Sequence, residues 1–135
     1  MSQENVETTK RFIDAYNRRD VEAMLAEVDP KFEWHSVILT GLQGKETVYR
    51  GHEGVREYLR DLYEALGETH IECSEMRDLG NQLVMIGRFR VRGRESGAGT
   101  ESPLGAVVDF EAGKGTRLRS YSNVEEALEA AGLSE

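Results

Sequence analysis

The chain has 135 residues, of which 39% are hydrophobic and 31% charged, with two prolines; this is the composition of one globular domain over 1–135 rather than of a disordered segment. A formal net charge of −8 excludes non-specific binding to nucleic acid or to an anionic membrane surface, because both need a cationic face. The lone Cys73 leaves no internal disulfide or zinc-spaced pair, and no apolar run reaches the roughly 18 residues that span a bilayer. The N-terminal MSQENVETTKRF lacks the apolar core of a signal peptide. A soluble protein of the reducing cytoplasm is expected, with no metal and no cofactor.

Val6, Thr9, Phe12, Ile13 and Tyr16 recur at spacings of three and four, one face of a helix over about 3–17 with Ser2 as its start signal. Asp20 can cap a second short helix through Val21, Met24, Leu25 and Val28, which Pro30 stops. FEWHSV (Phe32 to Val37) then changes the period to two and suits a strand. Parity puts Phe32, Trp34 and Ser36 on the core side and Glu33 and His35 on the other. TGLQGKETVYRG is a looser stretch in which ETVY suits a short edge strand. Val55, Tyr58, Leu59, Leu62, Tyr63 and Leu66 form an unbroken helical stripe from Glu53 to the terminating Gly67.

The second half is mostly strand. HIECSEMRD, QLVMIGRFRVRG, SPLGAVVDFE and TRLRSYS make an antiparallel meander joined by a turn at Leu79-Gly80-Asn81, a loop ESGAGTE and the turn AGKG. Asn123 caps a closing helix with Glu126 in the capping-box position and Gly132 at its end. Helices followed by a meander predict an α+β domain: three helices of the N-terminal half on the concave face of a curved, mostly antiparallel sheet, and a short C-terminal helix.

Four stretches carry a family likeness over nearly the whole chain: FIDAYNRRDVEAMLAEVDPKFEW, YRGHEGVREYL, PLGAVVDFEAGKGTRLRSY and EEALEAAGL. In them the chain resembles the SnoaL-like branch of the nuclear-transport-factor-two-like superfamily. The resemblance implies a cone-shaped α+β fold with a pocket between helices and sheet, and a homodimer through the outer sheet face. It does not settle function, since the fold hosts polyketide cyclases, ketosteroid isomerases, epoxide hydrolases and non-enzymatic binding proteins.

Ketosteroid isomerase needs an aspartate base together with a tyrosine and a protonated aspartate as oxyanion donors. The resemblance places that tyrosine at Phe12, the base at Ser36, and the second aspartate, along with the cyclases' aspartate, at Gly105 or Ala106. Phenylalanine donates no hydrogen bond and an unactivated serine is too weak a base, so the usual catalytic residues are not matched and none is assigned. The strand Arg88-Phe89-Arg90-Val91-Arg92 likewise lacks the aspartates of the epoxide hydrolases. Its arginines read as a solvated or dimer-facing stripe, or alternatively as an anion site helped by Arg117 and Arg119.

His52 reads as serving the turn before its helix, Asp109 and Asp14 as surface charges, and Cys73 as a buried inert thiol. Tyr16, one turn beyond Phe12, is either a core tyrosine satisfied by backbone or a hydroxyl of the cavity. In the second case it joins Ser36, Ser120 and Ser122 among Trp34, Tyr58, Phe89 and Leu118. The candidate ligand-binding set is therefore Phe12, Tyr16, Trp34, Ser36, Tyr58, Phe89, Ala106, Leu118 and Ser120, a lining suited to a small, largely apolar molecule. Two alternatives remain: an isomerase, cyclase or hydrolase that uses Tyr16 or His35, and a dimeric interaction module with the arginine stripe as its surface.

Overall fold

The computed structural model describes residues 2–44, 46–92 and 99–133. The elements in chain order are α1 (Ser2–Arg18), α2 (Val21–Leu25), β1 (Val28–His35), α3 (Val37–Gln43), β2 (Val48–Arg50), α4 (Gly51–Leu66), β3 (Glu68–Asp78), β4 (Gln82–Arg92), β5 (Gly99–Glu111), β6 (Lys114–Tyr121) and α5 (Val124–Ala130). The strands form one six-stranded sheet in the order β2-β1-β6-β5-β4-β3. Neighbours are antiparallel except β1 and β6, which run parallel. Register shifts within β1–β6, β3–β4 and β5–β6 mark the bulges that curve a sheet of this kind. This is the α+β cone expected from the sequence.

Two local expectations are corrected. The second helix ends at Leu25, and Pro30 lies inside β1 rather than stopping a helix. The strand accepts it because the β1–β6 register skips from Val28 to Glu33, so the missing N–H falls where no ladder bond is made. The stretch after FEWHSV, read as loose, contains the helix α3. Ser36 caps it by accepting from the Leu39 N–H, and Gly44 closes it in the left-handed conformation at φ 74°. Part of the ESGAGTE loop lies outside the described residues, and β5 begins at Gly99, before that loop was expected to end.

The core lies between the concave face and helices α1 and α4. Phe12, Phe32 and Trp34 form a ring cluster with centroids 5.7–6.3 Å apart, and Trp34 stacks on Tyr58 at 3.8 Å. Such pairs add about 0.5–1.5 kcal/mol each beyond area burial. Helix α4 comes so close to β2 that a Cβ at Gly54 would lie 2.7 Å from the Tyr49 carbonyl carbon, which restricts the position to glycine. On the convex face a smaller cluster of Val84, Val107, Ala127 and Leu128 seats α5.

Candidate functional site

The residues that enclose the cone's interior come from alternate positions of five strands and from single faces of α1, α3 and α4. Because successive side chains of a strand point to opposite faces, Trp34 of β1, Phe89 of β4, Ala106 of β5 and Leu118 of β6 all project inward and line one cavity. Phe12 and Ile13 of α1, Ile38 of α3 and Tyr58 of α4 close it from the helix side. Its volume is about 60 Å³, less than half of the roughly 150 Å³ that holds a benzene molecule. The wall is almost wholly aromatic and aliphatic.

Of the nine candidate residues, seven line this cavity: Phe12, Trp34, Tyr58, Phe89, Ala106, Leu118 and Ser120. Tyr16 and Ser36 do not. Tyr16 is buried one turn further along α1, where its hydroxyl shares a 2.5 Å hydrogen bond with Thr69 rather than bonding to backbone. Ser36 is spent on the α3 N-cap and on a 3.2 Å contact with the Tyr58 hydroxyl. Ser120 reaches the cavity, but its hydroxyl accepts from the Val37 N–H at 3.0 Å and so fastens α3 to β6. Ser122 lies beyond β6 and is exposed. Gly105 faces outward under α5, where a Cβ would stand 2.7 Å from that of Ala127, so Ala106 is the β5 position that meets the cavity.

One lining residue carries a charge and was not foreseen. Glu27, in the joint between α2 and β1, keeps its side chain 15% exposed and accepts from Arg11 Nε at 3.0 Å. Arg11 also donates to Thr8 Oγ1 at 3.2 Å, so the end of the cavity beside Thr8, Thr9 and Gly115 is polar. Glu27 falls between two periodic segments, where no pattern assigns a face; Thr9 belongs to the helical face already read from the spacing, and Thr8 lies beside it.

Burial pushes the Tyr16 phenol up to about 12 against the opposing hydrogen bond from Thr69. The fully enclosed Tyr58 is raised as well, first by desolvation. Both stay protonated at neutral pH and can donate but not accept a proton. His35 points to the convex side and contacts Glu33 at 3.1 Å; Glu33 also binds Arg50 at 2.7 Å. The His35 hydrogen bond, opposed by partial burial and aided by Arg50, lowers the Glu33 pKa.

Other titratable groups take structural places. His52 contacts the Val28 carbonyl at 3.2 Å, Asp14 pairs with Arg18 at 2.8 Å, and Asp109 with Arg117 at 2.8 Å. Cys73 is half-buried, with its pKa raised by desolvation. Arg88 and Arg90 both bind Glu101, at 2.8 and 2.6 Å, and Arg90 also binds Glu72 at 2.8 Å. Arg88 and Arg90 of the stripe are thereby neutralised within the chain. Among the described residues no group of three or more His, Cys, Asp or Glu could hold a metal ion, and no helix is long and apolar enough to cross a membrane.

A cone-shaped α+β fold with an aromatic interior places the protein in the nuclear-transport-factor-two-like class. More narrowly, the SnoaL-like domain matches residues 9–118, and the chain belongs to that family. No curated protein matches it significantly in sequence. Among solved structures it is similar to TerC co-crystallised with polyporic acid, at 22% identity and TM-score 0.80, over 96% of this chain and 97% of that one. It is equally similar to an NTF2-like protein of unknown function from Burkholderia pseudomallei, at 22% identity and TM-score 0.79, over 93% and 95%. A third likeness is a SnoaL-like polyketide cyclase, so named by similarity, from Jannaschia, at 16% identity and TM-score 0.72, over 89% and 85%. At these identities the likeness is one of fold.

Proposed function

We propose that the protein binds a small, largely apolar molecule in the cone, without the carboxylates that relatives use for catalysis. The observation that carries this reading is the cavity wall itself: apart from Glu27, already engaged by Arg11, the described lining residues offer no ionised group, and the phenol of Tyr58 is held neutral. A ligand would be recognised by burial against Phe12, Phe89 and Leu118, with a polar end toward Thr9 and Glu27. A ring does not fit the roughly 60 Å³ available, so its entry requires the unbranched Met85 or the short helix α3, which supplies Ile38, to shift. The crystallisation of a fold relative with polyporic acid supports the idea of an organic ligand in this architecture.

Trp34 is the single tryptophan of the chain and lines the cavity, so its emission reports occupancy directly. Titration with toluene and with benzyl alcohol is expected to change Trp34 fluorescence saturably, and Ala106→Met, which fills the cavity, to abolish the change while the protein stays folded. An unresponsive Trp34 in the unmodified chain would overturn the reading.

The enzymatic alternative through Tyr16 or His35 has no support from the cavity, since neither side chain lines it. Self-association through the convex face remains our proposal for the quaternary state. The part of that face left open beside α5 is an ion-paired surface rather than an apolar one, so a dimer formed there should dissociate as salt is raised. Light scattering at low and high ionic strength tests this, and a monomer at both would reject it.

A further inference from the structure

A second hollow, of about 130 Å³, lies outside the cone, between the end of α1, α2, α4 and the start of β3. Its walls are Val21, Leu59, Leu62 and the ring of Tyr63; Tyr16 and Thr69 lie at its buried side, and Arg19 is at its rim. Its volume approaches the roughly 150 Å³ that holds one benzene ring.

Arg19 closes α1 with its backbone, but its charge is left uncommitted. It adopts φ 59° as the left-handed residue of a helix cap, in which the Arg19 N–H donates to the Tyr16 carbonyl at 3.0 Å and the Asp20 N–H to the Ala15 carbonyl at 2.9 Å, a position that ordinarily takes glycine. Its charge, by contrast, has no carboxylate partner among the described residues. The neighbouring Arg18 takes both Asp14 and Asp20, whereas Arg19 makes only a long 3.4 Å contact with the Thr69 carbonyl, although the chain holds 25 acidic residues. Glu68 borders the adjoining groove without pairing to it.

The buried side adds a donor. Two hydroxyls, Tyr16 and Thr69, share one hydrogen bond of 2.5 Å, which uses one of their two protons and leaves the other for a further acceptor. Arg19 also acts electrostatically on the Tyr16 phenol, so the guanidinium and this hydroxyl pair are close.

We propose that this hollow is a binding site for a small monocarboxylate whose apolar body is about one ring in size, its carboxylate on Arg19 and the spare hydroxyl proton, and its ring against Val21, Leu59 and Leu62. The site is separate from the cone cavity and stands or falls independently of it. Planar carboxylates suit a guanidinium, which can donate to both oxygens at once.

The test is an amide NMR titration of the full chain with benzoate and, separately, with benzyl alcohol, which keeps the ring and removes the charge. Benzoate is expected to move the signals of Arg19, Val21 and Thr69 saturably, with benzyl alcohol at least tenfold weaker at those positions. Arg19→Gln is expected to lose at least tenfold in benzoate affinity. Arg19→Gly, which relieves the left-handed backbone and so protects the fold, is expected to lose as much. Absence of saturable shifts, equal response to the two compounds, undiminished benzoate binding in both variants, or shifts centred on Phe89 and Ala106 would each overturn the proposal.

Discussion

The two faces of the sheet are made from the same strands, one residue out of phase, and they are built on opposite physical terms. On the concave side Phe32, Trp34, Phe89 and Phe110 are each less than 10% exposed and meet the helices. On the convex side, Glu72, Arg90, Glu101 and Arg88 form a chain of ion pairs across β3, β4 and β5, each side chain between 39% and 51% exposed. Apolar burial contributes about 25 cal/mol per Å² removed from water, whereas exposed ion pairs contribute little. The difference teaches that the fold's stability and its candidate pocket share one face, while the other face is charged and carries α5. A ligand site grown on the concave side has to be cut out of the residues that hold the protein together, which accounts for a cavity of only about 60 Å³.

The strongest way to break this comparison is Phe32→Ala. Phe32 is 1% exposed and packs against Phe12 and Trp34. Truncation of such a ring costs about 3–5 kcal/mol, part transfer and part cavity, measurable as a drop in urea midpoint at unchanged slope. A loss below about 1 kcal/mol would show that the concave face is not the stabilising one.

Next in size is an alkaline effect on the same side. Tyr16 is raised from 10.0 to about 12. A folded-state pKa above the unfolded one contributes stability that is fully present below the unfolded value and is lost as pH rises through the folded value. Stability should therefore fall between pH 10 and pH 12, by about 3 kcal/mol from this one group at 1.36 kcal/mol per unit. Denaturant midpoints across that window should fall less steeply in Tyr16→Phe. An unchanged slope would remove Tyr16 from the account.

How much of this was legible in the sequence follows from where a single period applies. In FEWHSV the parity sends Trp34 inward and His35 outward without any help from the rest of the chain, and the structure has both so. The α4 stripe from Val55 to Leu66 was equally plain. Helix α3 was not, because VILTGLQ has β-branched residues at three of its first four positions and a glycine in its middle, a poor helix by propensity. Its cap, Ser36, reads as a strand residue until β1 is seen to end at His35. The arginine stripe was visible as alternation, but its partners were not. Glu101 and Glu72 lie 11 and 18 residues from Arg90, and only the cross-strand register brings them near, Glu101 directly opposite on β5 and Glu72 diagonally on β3, opposite Arg88. Glu27 escaped for a related reason, since it sits at the change from a helical period to a strand period.

The convex side can be broken selectively at Gly105, where a Cβ would come 2.7 Å from Ala127. Gly105→Val is expected to cost about 1–3 kcal/mol through overpacking and to do so by lifting α5. Amide exchange should rise at Ala127 and Leu128 while Trp34 emission stays as it was. If Trp34 responds first, the two faces are mechanically coupled through β5 and the division drawn between them fails.

The smallest expected effect sharpens the comparison most, because it asks whether a conspicuous ladder of ion pairs holds anything together. Glu101 joins Arg88 and Arg90, and their hydrogen bonds lower its pKa below its ordinary value of 4.5. A depressed folded-state pKa contributes stability that is present above the unfolded value and is lost as pH falls through the folded one, so any contribution should vanish only in acid below pH 4.5. At neutral pH the pairs are open to water and screened by salt within about 8 Å at physiological ionic strength. Glu101→Gln should therefore shift the thermal midpoint by less than about 2 °C in physiological salt. A larger shift appears only on dilution of the salt, if at all, because the variant leaves Arg88 and Arg90 facing one another across a single strand position. A drop comparable to that of Phe32→Ala would mean that the convex ladder is buried in the working form of the protein, and a second chain lying on that face would be the source of the burial.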